Sequence, residues 1–299
     1  MHVIVTGANG HLGKRLIQRL SNVVPVTALV RRTSARAELR TLCQQSSSLN
    51  IRLTDFEDIP ELKKAMSDGS HIVHLIGTIK ETHSNPLEKS HEDCANAVCL
   101  AANALGINRV IYVSIIGAAL DSPSICLRRR AAVEAIFSHN IDGSDILRFP
   151  MVLGENDRAS RSLSRRASSK LVVLYRGNSV EQPIYAGDVI NAIWSCLNKP
   201  SQQKRLFNLA GPQAISRKSL VQKAGRVINN TPRIISLPLF FGMGLAKTSE
   251  ILLKNPIVTR DMLKILDHDD DIDCAAACSF LGVELTSLEE MLERCLSKH

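Results

Sequence analysis

Aromatic side chains are scarce in this chain: Phe, Trp and Tyr make up 4% of its 299 residues, and tryptophan occurs once. Proteins that hold single-stranded nucleic acid stack bases on such rings between basic residues, and no stretch interleaves the two, so nucleic acid is not an expected partner. Long apolar runs are missing as well. The nearest, IISLPLFFGMGLA from Ile234, is short and broken by Pro238, Gly242 and Gly244, well below the roughly 20 apolar residues that span a bilayer. No transmembrane segment is expected. The first apolar run starts at His2 and breaks at Gly7, which is not the pattern of a secretory leader.

Metal-binding spacing is also lacking. Of the eight cysteines, Cys274 and Cys278 lie four apart and Cys94 and Cys99 five apart, but neither pair has a second pair of ligands at zinc-site spacing. No metal is expected, and the scattered thiols fit a reducing, cytoplasmic compartment. The acidic run DHDDDID from Asp267 lacks the central glycine and closing glutamate of a calcium loop, so an exposed connection between helices is the better reading. Internal repeats and low-complexity segments are absent.

Positive charge is plentiful. The formal net charge is +8, and between Arg158 and Arg176 six basic residues occur without one acidic residue. Such a segment is either a solvated face or a contact for an anionic partner.

The first half alternates short β-branched runs with helical patterns. Strands are expected at His2 to Thr6, Val23 to Val30, Leu49 to Leu53, His71 to Ile76, Arg109 to Ser114 and Ser144 to Phe149. Helices are expected at His11 to Leu20, Ser34 to Leu42, Asp58 to Ser67, Leu87 to Leu105 and Pro123 to Ser138. Near-continuous apolar strands alternating with helices predict an α/β fold, a doubly wound parallel sheet of Rossmann type. Residues 1–150 would carry this nucleotide-binding domain. Residues 151–299 would form a smaller, mostly helical domain of the substrate-binding type, partly interleaved with the first. It would hold a helix from Asp188 to Leu197 with Asp188 as N-cap, a strand at RLFNLAG from Arg205, and a mostly helical tail from Ser216.

TGANGHLG, Thr6 to Gly13, joins the first strand to the first helix. Gly7 permits a tight turn, Gly10 lets backbone amides approach a pyrophosphate, and Gly13 allows close helix packing; Asn9, His11 and Leu12 complete the loop over the helix N-terminus. This motif in this place predicts dinucleotide binding. After the second strand stand Arg31 and Arg32, where an acid would bond the ribose hydroxyls of NAD(H). Arginine there suits a 2′-phosphate, so NADP(H) is the preferred cofactor and NAD(H) the alternative.

The spacing GxxGxxG resembles the short-chain dehydrogenase/reductase superfamily, and further segments extend the likeness over nearly the whole chain. Asp55 and Phe56 match the position where relatives hold the adenine, and Leu75, Ile76 and Gly77 match the segment that lines the cofactor. RVIYVSIIGA resembles the strand that carries the superfamily's active-site serine, here Ser114. LRFPMVLGEND, with Phe149 and Pro150, resembles the segment closing over the nicotinamide, and QPIYAGDVINAI, with Tyr185 and Asp188, the start of the second domain's helix. The whole is most similar to atypical extended members: the NmrA-like group, and the dehydrogenase-like accessory subunits of respiratory complex I with their bacterial relatives. The resemblance implies a tightly held nucleotide with a structural part, a protein partner or respiratory assembly contacted through the basic segment 158–176, and a site peripheral to a membrane complex.

The same likeness exposes a departure. In SPSICLRRRAAVE, Ser122 to Glu134, the catalytic tyrosine position is Cys126 and the lysine position Arg130. A thiol lacks the reach of a phenol, and a guanidinium, with pKa above about 12, bonds a ribose but joins no proton relay. Ser114 alone of the catalytic trio is retained. Arg129 and Arg130 would flank Cys126 on a helix and favour its thiolate, the basis for a redox-sensing cysteine. His74 and Tyr112 read as core residues, and Lys80, His83 and His91 as loop residues near the cofactor's edge. Three functions compete: a nucleotide-holding protein with a degenerate site, a reductase, epimerase or dehydratase of a small carbonyl or sugar nucleotide with a displaced proton donor, and an NmrA-like redox regulator.

Overall fold

The computed structural model describes residues 1–43, 46–77, 89–200, 202–252, 259–265 and 268–297. Lys80 and His83 lie outside them. Chain order begins β1 (Val3–Thr6), α1 (His11–Leu20), β2 (Val26–Val30), α2 (Thr33–Leu42), β3 (Leu49–Leu53), α3 (Ile59–Met66) and β4 (His71–His74). A π-helical turn over Lys89–Asp93 leads into α4 (Cys94–Ala104), followed by β5 (Arg109–Ile115), α5 (Ile125–Asn140) and β6 (Gly143–Phe149). Then come β7 (Val152–Leu153), α6 (Arg158–Ser168), β8 (Leu171–Tyr175), β9 (Val180–Glu181), β10 (Ile184–Tyr185), α7 (Ala186–Asn198), β11 (Arg205–Asn208), β12 (Ile215–Ser216), α8 (Arg217–Val227) and β13 (Arg233–Leu237). Helices α9 (Leu239–Leu252), α10 (Arg260–Ile265), α11 (Ala275–Leu281) and α12 (Leu288–Leu296) close the chain.

The expected doubly wound sheet is present. Seven strands run in the order β11-β6-β5-β4-β1-β2-β3, and β1 pairs in parallel with both β2 and β4. The order reverses between β1 and β4, which makes their carboxyl ends the switch point at which open α/β sheets bind ligands. Every residue of β1 and β2 is buried, as strands covered on both faces must be. Strand β2 begins at Val26, three residues later than its apolar run, because Val23 and Val24 turn back to donate to Leu20 O.

The chain divides into two compact units. One comprises residues 1–122, 126–148 and 190–207, the other 123–125, 149–189 and 208–299. In the first, β5, β6, β11 and α7 are tied by a buried charge network: Asp145 accepts from Arg109 (2.5 Å) and from Arg205 (2.7 Å), while Arg109 also donates to the carbonyls of Gly143 and Cys196. Its apolar core packs α3, α4 and α5 on the sheet through residues such as Leu62, Met66, Val98, Val110 and Phe137, each burial contributing about 1.5–3 kcal/mol. The second unit centres on Leu153, Leu163, Val172, Leu220, Met291 and Leu292.

Two expectations need correction here, and two gain detail. The basic segment is an ordered element: α6 is capped by Asp157, whose carboxylate accepts from Ser160 N (2.7 Å), and it buries Ser160, Leu163 and Ala167 at helical spacing. The tail is mostly helical, as expected, with β13 lying within it and pairing with β8 from Arg233↔Leu171 to Leu237↔Tyr175. Asp188 is not an N-cap, because α7 starts two residues before it; its buried carboxylate accepts instead from Thr286 N (2.8 Å) and Oγ1 (2.9 Å). Nor is the acidic run wholly exposed: Asp270 is buried, its N–H on Val180 O at 3.0 Å, and Asp269 accepts from Val180 N. Among the described residues no helix is long and apolar enough to cross a membrane.

Candidate nucleotide site

The glycine loop sits at the switch point. Gly7 has φ +68°, and a β-carbon built there would lie 2.8 Å from the Leu75 carbonyl carbon and 3.0 Å from Ile76 N; any side chain would separate the loop from the segment after β4. A β-carbon at Gly13 would strike the Gly7 and Ala8 carbonyls, so that glycine fits the helix against the turn rather than against the sheet. Gly10 N donates to Gly7 O (2.9 Å) and Gly10 O accepts from Lys14 N (2.9 Å), which closes the first turn of α1. Gly10 is the N-cap and offers no side-chain acceptor, unlike Asp58 of α3 or Ser287 of α12. The amides opening α1 lie beside exposed Asn9 and His11 and half-buried Leu12, at a helix N-terminus whose dipole favours an anion.

Arg31 and Arg32 are exposed at the end of β2 and make no ion pair among the described residues. Arg36, one turn into α2, buries an Nε without a partner among the described residues; its position four after Arg32 on a helical pattern was the available signal. Asp55 folds back to accept from Glu57 N (3.0 Å). Phe56 is 5% exposed and belongs to the core of the first unit, so only its backbone is on offer. Phe149 ends β6 and Pro150 follows; both are buried and belong to the second unit.

The three positions expected for catalysis, Ser114, Cys126 and Arg130, all lie in the first unit. Cys126 is completely buried. The Arg130 guanidinium donates to the Tyr112 hydroxyl (3.2 Å) and to Val113 O (3.1 Å), and it lies over Gly77, where a β-carbon would collide with it. Its Nε is buried without a partner among the described residues. Burial opposes the charge on Arg130, but nearby Tyr112 and Cys126 outweigh it and raise the pKa. Arg129 is drawn off to Glu92 (2.8 Å). Ser114 Oγ donates to Glu134 Oε1 (2.5 Å), and Glu134 is held by Arg148 through Nε (2.8 Å) and Nη2 (2.5 Å).

Tyr112 is the residue that sequence reasoning undervalued. It lies two positions from Ser114 on β5, hence on the same face, and that period was the readable signal. Its ring meets Phe137 at 5.5 Å and His74 at 5.7 Å; burial, chiefly, raises its pKa. His74 Nδ1 shares a hydrogen bond with Thr6 Oγ1 (3.0 Å) beneath the glycine loop. Its pKa is lowered to about 3, by burial first, then by Arg130 and His91. Burial pushes Cys94 up to about 11 and Cys99 to about 12. Among the described residues no cluster has the make-up of a metal site.

Comparisons with known proteins agree with this geometry. The family model described as NAD(P)H-binding matches residues 7–141. The chain is 27% identical over 255 residues to the mitochondrial NADH dehydrogenase (ubiquinone) 1 alpha subcomplex subunit 9 of Arabidopsis thaliana, a match covering 83% of this chain but only 63% of that protein's length. The Mus musculus protein of the same name is 24% identical over 299 residues, covering 99% of this chain and 79% of the relative. Among solved structures, the UDP-glucuronic acid 4-epimerase of Bacillus cereus with UDP-glucuronic acid and NAD superposes with TM-score 0.75 at 16% identity, over 98% of this chain and 97% of that one. MoeE5 with UDP-glucuronic acid and NAD gives 0.73 at 19% identity, over 99% and 98%. The glycine loop falls within the residues that match the NAD(P)H-binding family model, and the solved structures share the fold. Over most of its length the chain is distantly similar to the subunit 9 proteins.

Proposed function

We propose that this protein retains NADP(H) for structure or sensing and does not turn it over by the family's usual relay. The observation that carries this reading is the Ser114–Glu134–Arg148 chain: the serine has one hydroxyl proton, and it is committed to a carboxylate already gripped by arginine. With Cys126 buried and Arg130 permanently charged, none of the three relay positions delivers a proton.

Residues that would hold the nucleotide are Gly7, Gly10 and the amides of His11 to Gly13 for the pyrophosphate, Asp55 and the Phe56 backbone for the adenine, and Leu75 to Gly77 with Arg130 for the ribose. Phe149 and Pro150 match the segment that relatives close over the nicotinamide. Arg31 and Arg32, with Arg36 beside them, would take the 2′-phosphate, because none of them spends its charge on a carboxylate among the described residues. The nicotinamide, when bound, supplies hydride chemistry that the residues around it leave unused. On this reading residues 1–150 serve the nucleotide and residues 151–299 a partner assembly, contacted through segment 158–176. The NADH dehydrogenase subcomplex to which the relatives' names refer is the class of partner this suggests.

One observation favours a second reading. The Tyr112 phenol reaches the Arg130 guanidinium, and a reductase or epimerase of a small carbonyl or sugar nucleotide would need such a displaced proton donor. Exchange of labelled NADP+ into the purified protein separates the two. A holding protein exchanges slowly and shows no substrate-dependent change in nicotinamide absorbance with carbonyl or UDP-sugar panels. Rapid exchange with turnover that Tyr112→Phe abolishes would establish the enzyme instead.

A further inference from the structure

The second unit carries an apolar surface that its own fold leaves uncovered. In the parallel β8/β13 ribbon, Val172, Leu174 and Ile234 face the unit's core. The alternate residues face out, in register as Leu171 beside Arg233 and Val173 beside Ile235. The surface continues onto α9, where Gly242 brings the helix against the Tyr175 ring at the ribbon's end. Leu171, Val173, Ile235, Phe240, Phe241 and Leu245 are between 46% and 66% exposed. Phe240 and Phe241 protrude as neighbours, their ring centroids 4.2 Å apart. Contiguous exposure of large apolar side chains on this scale marks an interaction surface.

Charge identifies the occupant. No acidic residue occurs between Asp157 and Glu181, and none between Asp188 and Glu250, the two stretches that build this surface. Exposed Arg165 and Arg166 end α6, Lys170 opens β8, Arg233 stands in the ribbon's outer face and Lys247 on α9; none makes an ion pair among the described residues. Arg233 N donates to Lys170 O (2.9 Å) and Asn230 Nδ2 to Ala167 O (2.6 Å), which ties the backbone between α6 and β8 to the start of β13. A second copy of this chain would set those cations against themselves. Projecting Phe and Leu side chains rimmed by Lys and Arg have the composition of an element that lies in a bilayer interface, apolar groups at the acyl boundary and cations at anionic headgroups.

We propose that the β8/β13 ribbon and α9 form a peripheral membrane-binding surface for anionic phospholipid. The test is sedimentation of the full chain with vesicles of phosphatidylcholine alone or with added phosphatidylglycerol. Binding is expected only to the anionic vesicles, weakening with salt. Arg165→Glu with Arg166→Glu should reduce it by more than tenfold, since each cation at a charged surface is worth roughly fivefold. Phe240→Ser with Phe241→Ser should reduce it comparably while leaving the thermal melt in place, because both rings are already exposed. Equal binding to both vesicles, binding to neither, or variants that bind like the unaltered chain would overturn the proposal. So would salt-sensitive binding to polyglutamate without vesicle binding, which would assign the surface to an acidic protein, or a dimer in light scattering that the Phe variants dissociate.

Discussion

Glu134 accepts a 2.5 Å hydrogen bond from the Ser114 hydroxyl while Arg148 grips both its carboxylate oxygens. The retained serine is thereby part of an ion-pair network, which separates two roles that sequence alone leaves merged. Ser114→Ala should cost about 1 kcal/mol of stability, the worth of one hydrogen bond, and leave NADPH affinity unchanged. Glu134→Ala strands Arg148 half-buried and should cost about 3 kcal/mol. Chemical denaturation and NADPH titration check both; a large loss of affinity in Ser114→Ala would place the serine in contact with the nucleotide.

Gly13→Ala should abolish nucleotide binding. Its new methyl meets two loop carbonyls belonging to Gly7 and Ala8, backbone atoms that cannot step aside, so the loop itself must move. Loss of at least tenfold in NADPH affinity by calorimetry is expected, with a destabilisation of about 1–3 kcal/mol from the strained loop.

Cofactor choice is tested at the end of β2. Arg31→Ala with Arg32→Ala should weaken NADPH by about 10- to 100-fold, the range for losing hydrogen bonds to a charged group, and leave NADH nearly unaffected. Parallel titrations with the two dinucleotides measure this, and equal loss for both would remove the arginines from the 2′-phosphate.

His74 gives a pH dependence with a definite sign. Its folded pKa is about 3 against an ordinary 6.5, so below pH 6.5 the unfolded chain binds a proton that the native state refuses. Stability is therefore full above pH 6.5 and falls as the pH drops towards 3, by about 2 kcal/mol at pH 5. His74→Gln, which can still bond Thr6, should flatten that part of the profile in urea denaturation series. An unchanged slope would mean that His74 protonates freely in the folded chain.

The sheet was readable because strands covered on both faces must be apolar throughout, and the glycine loop because its chemistry is local. What depends on distant partners was not. RLFNLAG was legible as a strand, yet nothing in it says that β11 joins the sheet beside β6; Arg205 reaching Asp145 does that across the fold. Asp188 looks like a cap because it precedes a helical run, but Thr286, far along the chain, claims its carboxylate. The basic residues of α6 obscure a helix that Ser160, Leu163 and Ala167 spell out at core spacing. RIISL, at β13, has the β-branched pattern of a strand inside a stretch dominated by helices. At the site, the identities of Cys126 and Arg130 were plain, whereas the burial of one and the turn of the other onto Tyr112 are products of packing.

The central claim is nucleotide retention. Its most direct test is to denature the full chain after purification without added cofactor and identify what is released by mass. Retention predicts NADP+ or NADPH in near-stoichiometric amount. Release of nothing, together with no binding in titrations with NADPH and NADH, would contradict it.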